Sequence, residues 1–523
     1  MAFSLLPRSL AALATIAAVA VPVAGCGSSS TSSSGGNAGA DPASALPATA
    51  PFYLEAQLRP QGDLKANVES VAKRILATDD PSSKIVSTLD QALSKKGSHY
   101  RTDIQPWLGN RAGLAVTAMG SGGAKADVAA VIASKDDDKA KAFVAKQQQG
   151  AAKAQYRGVS YTYDRAQDMA ATVLDGEVIL GTDRGFKSAI DATKGGSLAE
   201  AKNFKDARDE IGTDGLGFVY VDPSRALDLA LGAAGSAAAG QSASLKSLLA
   251  GSGVRSVAAK LEVAQDALRV DAAVLGRKAV TAHGDAAGAA ASVPADAWLS
   301  VGIGDVGGAF QRQLKQLGQA GATGGVDPAT LLQQLKGQLG VDVQQDFLSW
   351  MGDGALFVRG TSMSDLGGAL VVTSKDPAAS QRAIGTIRDL LTKLGARPGA
   401  LRGGAGAEGL SVRTSGIPEP IEIAAKGDRF VIAYGRAALD AALGGGQKLG
   451  DSAGYKTAAG LLDGAKPALF LDTAKVVRLI GAVAGGDASF AKAKPTLDAF
   501  GPLAAGSATE DGVSHVKVAV QVK

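Results

Sequence analysis

The chain has 523 residues, with 54 Lys and Arg against 50 Asp and Glu, a net charge of +4, and 46% hydrophobic residues. This composition excludes a disordered chain, and the near-neutral balance excludes the strongly basic face of a nucleic-acid binder. One cysteine excludes a disulfide framework and any multi-cysteine metal site, and three scattered histidines (His99, His283 and His515) argue against a histidine-rich one.

The first 25 residues carry one charge, Arg8, followed by an apolar run from Leu10 to Val23. A short positive region ahead of an apolar one is the pattern of a secretory leader. The run is shorter than the ~20 residues a spanning helix prefers. It ends in Val23-Ala24-Gly25-Cys26, which resembles the lipobox of bacterial lipoproteins, and no other cysteine exists in the chain. Cys26 is therefore the expected lipidation site, the attachment point of a palmitate-type anchor. Residues 1–25 read as the lipoprotein signal peptide. Residues 26–45, rich in Ser and Gly, read as a flexible tether that buries too little apolar surface to order itself. Ala226 to Gly240 is mostly Ala and Gly, too weakly apolar to span a membrane.

Phe52 to Leu58 has the length and composition of a strand. Leu64, Val68, Val71 and Ile75 form a helical stripe, and Ile85, Leu89 and Leu93 a second. Strand-length apolar runs follow at Leu114 to Met119, Val128 to Ile132, Glu177 to Gly181 and Gly217 to Val221. A Gly- and Ala-rich joint spans Gly276 to Ser292. Beyond it, helices are expected at Phe310, Leu314 and Leu317, at Leu331 to Leu339 behind Asp327-Pro328, and at Ile384, Ile387, Leu391 and Leu394. Strands are expected at Leu356 to Val358, Ala369 to Thr373, Arg429 to Ala433 and Ala468 to Leu471. Val516 to Val522 alternates with a period of two, as a half-buried last strand does.

The part after the joint repeats the part before it. Leu46-Pro47-Ala48 returns as Val293-Pro294-Ala295, and Asp103, Trp107, Gly109 and Asn110 return as Asp346, Trp350, Gly352 and Asp353. Val131 to Asp136 returns as Val371 to Asp376, Gly158-Val159-Ser160 as Gly409-Leu410-Ser411, and Phe204-Lys205 as Tyr455-Lys456. Val219 to Asp222 returns as Leu469 to Asp472. The offsets stay between 240 and 252, in unchanged order. The expected architecture is α+β: two tandem copies of a ~230-residue unit, with largely antiparallel sheet and packed helices. Domain 1 spans 46–280 and domain 2 spans 290–523.

A residue kept in both copies more readily serves the shared fold than a catalytic centre. Trp107-Leu108-Gly109-Asn110 and Trp350-Met351-Gly352-Asp353 fit a buried ring on a short helix, then a turn through Gly and Asn or Asp. A ligand-stacking ring is the sharper alternative. Ser134-Lys135-Asp136 and Ser374-Lys375-Asp376 suggest a Ser–Lys pair, but each stands between a strand and a helix, where Asp136 and Asp376 suit the N-cap. Asp222 and Asp472 read the same way. Asp136-Asp137-Asp138 is favourable negative charge at a helix start. No P-loop, HExxH, GxSxG or EF-hand pattern occurs. The sequence thus assigns no catalytic, cofactor or metal site.

The tandem layout resembles the family of bacterial lipoproteins catalogued as domain of unknown function 3352, common in actinobacteria. The residues that carry the resemblance are Leu46-Pro47-Ala48, Trp107-Leu108-Gly109-Asn110, Ser134-Lys135-Asp136 and Val219-Tyr220-Val221-Asp222. Copy two departs from them with Met351 for Leu108 and an insertion around Ala396 to Ala407. The resemblance implies a fold but brings no activity, catalytic residue or cofactor.

Two classes of function follow. The favoured one is a binding or interaction lipoprotein of the cell envelope, extracytoplasmic and held to the membrane by its N-terminal lipid, with a lipid, polymer or protein as ligand. The alternative is a hydrolase acting on an envelope substrate.

Overall fold

The stripes and alternations sort into two units in a computed structural model, which describes residues 37–94, 97–119, 125–234, 239–277, 283–320, 328–362 and 364–523. The leader, Cys26 and Asp327 lie outside the described residues. Unit one holds the chain up to Ala279 together with Thr509–His515, and unit two holds Val280–Ala508 and Val516–Lys523.

Unit one contains strands β1 (Phe52–Gln57), β2 (Leu108–Met119), β3 (Ala126–Ser134), β4 (Ala152–Tyr156), β5 (Val159–Asp164), β6 (Met169–Leu174), β7 (Glu177–Gly181), β8 (Gly217–Val221), β9 (Ser256–Ala264) and β10 (Ala267–Leu275). Its helices are α1 (Gly62–Leu76), α2 (Pro81–Ser94), α3 (Asp137–Gln147), α4 (Asp183–Ala192), α5 (Lys202–Ile211), α6 (Pro223–Ala234) and α7 (Ala239–Ser252). Neighbouring strands are antiparallel, in the order β10-β9-β8-β1-β2-β3-β7-β6-β5-β4. The first expected stripe builds α1, which buries Val68 and Val71 and ends on Ala77 in the left-handed region, with Lys73 and Arg74 in its last turn.

Alternate residues of the central strands feed two cores. Ala129 and Val131 of β3 join Tyr53, Phe186, Phe204 and Tyr220 on one face. Val128 and Ile132 join Leu89, Trp107, Phe143 and Leu180 on the other. In the first core, Phe204 meets Tyr53 and Tyr220 edge-on, with ring centres 5.3 and 5.1 Å apart.

Unit two contains β11 (Leu299–Ile303), β12 (Met351–Arg359), β13 (Gly367–Ser374), β14 (Gly399–Ala400), β15 (Glu408–Val412), β16 (Ile421–Lys426), β17 (Arg429–Tyr434), β18 (Lys466–Leu471), and most of β19 (Phe500–Glu510) and β20 (Val513–Val522), whose shared end Thr509–His515 belongs to unit one. Its helices are α8 (Ala286–Ala291), α9 (Val306–Ala320), α10 (Pro328–Leu339), α11 (Pro377–Lys393), α12 (Arg436–Leu443), α13 (Ala453–Gly460), α14 (Thr473–Ala484) and α15 (Ala488–Asp498). Its antiparallel pairings run β19-β18-β11-β12-β13-β17-β16-β15-β14, which is the order of the corresponding strands in unit one.

Two expectations need correction. The tether does not extend to Ala45. Asp41 caps a 3-10 turn at Pro42–Ala45, Ala43, Ala45 and Leu46 are buried, and the Ala38 carbonyl accepts the Asn110 amide at 2.8 Å. Small apolar residues at alternate positions give this stretch a face to bury, which overall Ser/Gly composition conceals. Gly109 and Gly352 also do not sit in turns; both lie inside strands, at register shifts of β2 and β12. A Cβ on Gly109 would come within 2.6 Å of the Ala133 carbonyl oxygen, and one on Gly352 within 2.7 Å of that of Thr373. Glycine is required there for close strand approach, not for a positive φ.

Candidate functional site

On β1 the usual alternation is reversed: Tyr53 and Glu55 are buried, whereas Phe52 and Leu54 face outward at 39% and 37% exposure. Residues directly opposite one another on paired strands share a face. Leu54 lies between Val219 and Leu114, and Leu114 lies opposite Ala130. Phe52 likewise lies between Val221 and Val116. Together these side chains make two adjacent apolar rows. Val219, at 40% exposure, stays open like Phe52 and Leu54.

Unit two carries the same pattern. Val301 lies between Leu469 and Leu356, and Leu356 lies opposite Leu370. Leu356 is 43% exposed, and Ile303 and Ile432 are also open. The helices that follow β8 and β18 are packed loosely. α6, with Leu227, Leu229 and Leu231, has no fully buried residue, and α14 buries only Val477. The rows run into the cores at one side, where Val116 and Ala130 pack against the Trp107 core and Leu370 against the Trp350 core. What stays open is the part around Phe52, Leu54 and Val219 in unit one and Ile303 and Leu356 in unit two, and apolar side chains left open together mark a surface that binds something. None of its side chains can donate or accept a hydrogen bond, so it offers contact and desolvation rather than catalysis.

Beneath β1, on the buried face, lies an ionic cluster that, among the described residues, unit two does not share. Arg208 of α5 reaches Asp41 through two bonds of 2.6 and 3.0 Å, and Glu55 at 2.5 Å. The Tyr53 hydroxyl donates to Glu55 at 2.7 Å, and Arg111 donates to the other Glu55 oxygen through Nε at 2.7 Å and through Nη2. The guanidinium of Arg208 stacks over Phe204 at 4.6 Å. Burial opposes its charge, but Asp41, Glu55 and their neighbours more than offset this and raise its pKa. Burial, reinforced by Glu55, holds the Tyr53 hydroxyl well above its ordinary pKa. Two guanidiniums balance two carboxylates, so the cluster has no spare charge for a substrate. Its effect is to fasten the segment around Asp41 to α5 and β1.

Glu177, at the start of β7, is 6% exposed, and its Oε1 accepts no hydrogen bond among the described residues. Burial, and then the charges of Asp41 and Asp175, push its pKa up to about 7. His515 belongs to unit one and is 2% exposed. Its Nδ1 lies 2.9 Å from Asp271 and its Nε2 3.0 Å from Glu210. Burial disfavours its charge, but the two carboxylates prevail and raise its pKa. No group of three potential metal-binding side chains occurs among the described residues.

The residues marked by the repeat fall into place as follows. Trp107 and Trp350 are each 1% exposed. Their indole N–H groups donate to the carbonyls of Asp103 and Asp346 at 2.8 and 2.7 Å, each from just after a π-helical turn, Tyr100–Ile104 and Gln344–Leu348. Trp107 packs on Phe143 and Trp350 on Phe430. The pocket beside Trp107 has a volume of about 180 Å³ and is lined in part by Asp103, Lys139 and Lys146. It is smaller than a typical small-molecule site, and the ring presents almost no surface to it. Asp136, Asp376, Asp222 and Asp472 accept the amides of Lys139, Ala379, Arg225 and Lys475 at 3.0–3.2 Å, each three residues on. Ser134 and Ser374 bond within the same loops. Sequence reasoning missed the open rows and the ionic cluster. A signal was present in β1, where Phe52 and Leu54 alternate with Tyr53 and Glu55.

The model of a family described as "Protein of unknown function (DUF3352)" matches residues 9–402, about three quarters of the chain. No curated protein matches it. Among solved structures, the chain is similar to crystal form IV of TP0453, with 9% identity and a TM-score of 0.25 over 45% of this chain and 81% of that one. Crystal form III of TP0453 gives 10% identity and a TM-score of 0.24 over 47% and 83%. Among the described residues, no helix is long and apolar enough to cross a membrane.

Proposed function

The chain belongs to the DUF3352 family of proteins of unknown function, and on that premise we propose that it is an extracytoplasmic lipoprotein, lipidated at Cys26, that binds an envelope ligand on its open sheet faces. The observation that carries this reading is the set of apolar rows, two in each unit, in which Phe52, Leu54, Val219 and Leu356 stay more than a third exposed. The solvated face of an antiparallel sheet is commonly polar, so apolar side chains left open on it point to a binding surface. The leader and the lone cysteine support the anchor. Ten Ser- and Gly-rich residues, 27–36, separate Cys26 from Asn37 in the sequence. The shared order of strands supports an origin of both units by duplication of one.

Replacing Cys26 by Ser tests the anchor. The parent stays in the membrane fraction through a salt wash and Cys26→Ser is released. A Cys26→Ser protein that still sediments with membrane contradicts it.

A further inference from the structure

The geometry points to the acyl chain of a membrane phospholipid as the occupant of these rows, one chain in each unit; this rests on the reading above and names its ligand. In unit one the row Val219–Leu54–Leu114 crosses three strands before Ala130 packs into the core, and in unit two Leu469–Val301–Leu356 crosses the matching three before Leu370 does. At a strand spacing of about 4.8 Å each open row runs roughly 10 Å. A second row lies alongside, Val221–Phe52–Val116 in unit one and Leu471–Leu299–Val358 in unit two. The surface is long, narrow and free of polar side chains, while the backbone groups of these strands are used in the ladders on both sides.

An occupant must therefore be linear and need no hydrogen bond along its length. That describes a hydrocarbon chain. A protein partner would instead seek a polar rim and about one hydrogen bond per 100–200 Å² of interface. The chain outside the structure supplies the source. Only residues 27–36 separate Cys26 from the fastened segment at Asn37. Fully extended, ten residues reach no more than about 36 Å. A body on so short a lead stays beside the bilayer, where phospholipid acyl chains are the abundant apolar ligand.

The test uses the full lipidated chain in phosphatidylglycerol vesicles doped with a phosphatidylcholine that carries a diazirine midway along one acyl chain. After irradiation, adducts are mapped by peptide mass spectrometry. The inference expects adducts on the peptides holding Leu54, Leu114 and Val219, and on those holding Val301, Leu356 and Leu469. Leu54→Asp should lower the unit-one adducts by roughly tenfold and spare those of unit two, and Leu356→Asp should do the reverse. Both positions are exposed enough to accept the change, and the parent's adduct map decides without them. Adducts confined to residues 26–36, with the protein still floating with the vesicles, overturn the acyl-chain site and leave the anchor standing. A protein that does not float overturns the anchor reading and this inference with it.

Discussion

On β1 unit one buries Glu55, and at the matching register on β11 unit two has Gly302. The neighbours on either side, Leu54 and Val301, pair in the same way with Leu114 and Leu356. The surroundings differ accordingly. Unit one surrounds Glu55 with Tyr53, Arg111 and Arg208. Unit two has Ala459 where the repeat places Arg208, and no basic residue on β12 before Arg359. A Cβ on Gly302 would fall 1.8 Å from the Ala286 carbonyl oxygen, so the backbone of α8 fills the space that the charged side chains take in unit one. One strand order thus tolerates either an ion cluster or close backbone packing on its buried face. What both units keep is the apolar row on the opposite face, and that common feature is the one assigned to ligand binding.

The largest effect tests whether the units are equivalent in their cores. Trp107→Ala should cost unit one about 3–5 kcal/mol and Trp350→Ala should cost unit two a similar amount, because each empties a buried site. Calorimetry should show a different transition shifted in each variant. If both melt like the parent, these rings are not core residues.

Next is the feature that separates the units. Arg208→Ala leaves Glu55 buried with one guanidinium fewer and releases Asp41, and should destabilise unit one by about 3 kcal/mol. Proteolysis around Asp41 should rise while the unit-two transition stays fixed. An unshifted unit-one transition would show that the cluster is dispensable.

The third effect is one of pH. Glu177 has its carboxyl pKa raised to about 7 in the folded protein, above the 4.3 or so of an unfolded chain. The folded state therefore holds this proton longer, and stability should fall as pH rises from about 4.5 to 7, by about 1–3 kcal/mol. Glu177→Gln should flatten the profile of unit one. Unit two has Arg429 at the matching register, bonded to the Ala442 carbonyl at 2.6 Å, and should lack the slope. An equal slope in Glu177→Gln would assign it elsewhere.

The smallest effect concerns His515, faced by Asp271 on β10, Glu210 on α5 and Glu510 on β19. Its raised pKa means its contribution is complete below the ordinary histidine value and is lost as pH rises through the folded value. His515→Gln should cost about 1–2 kcal/mol at pH 6 and less at pH 9, read by hydrogen exchange at residues 509–515. A cost that is the same at both pH values would contradict a charged His515.

Local signals were legible in the sequence. The stripe of Leu64, Val68 and Val71, the four capping aspartates and the two tryptophans each depend on neighbours a few residues away. The ionic cluster was not legible, because Glu55 meets Arg208 across 153 positions and Asp41 meets it across 167. A single carboxylate in an apolar strand gives no hint of its partner. The glycines of the tryptophan motif were misread as turns, because the need for them comes from Ala133 and Thr373 on the next strand. The open rows required pairing register, which places Leu114 and Val219 beside Leu54 and which no single segment encodes.

Native mass spectrometry of the full chain, released from phosphatidylglycerol vesicles, tests the central claim most directly by counting phospholipids held without a covalent bond. The parent should hold two, Leu54→Asp or Leu356→Asp one, and the double variant none. No bound phospholipid on the parent, or one unchanging count across all four proteins, would contradict it.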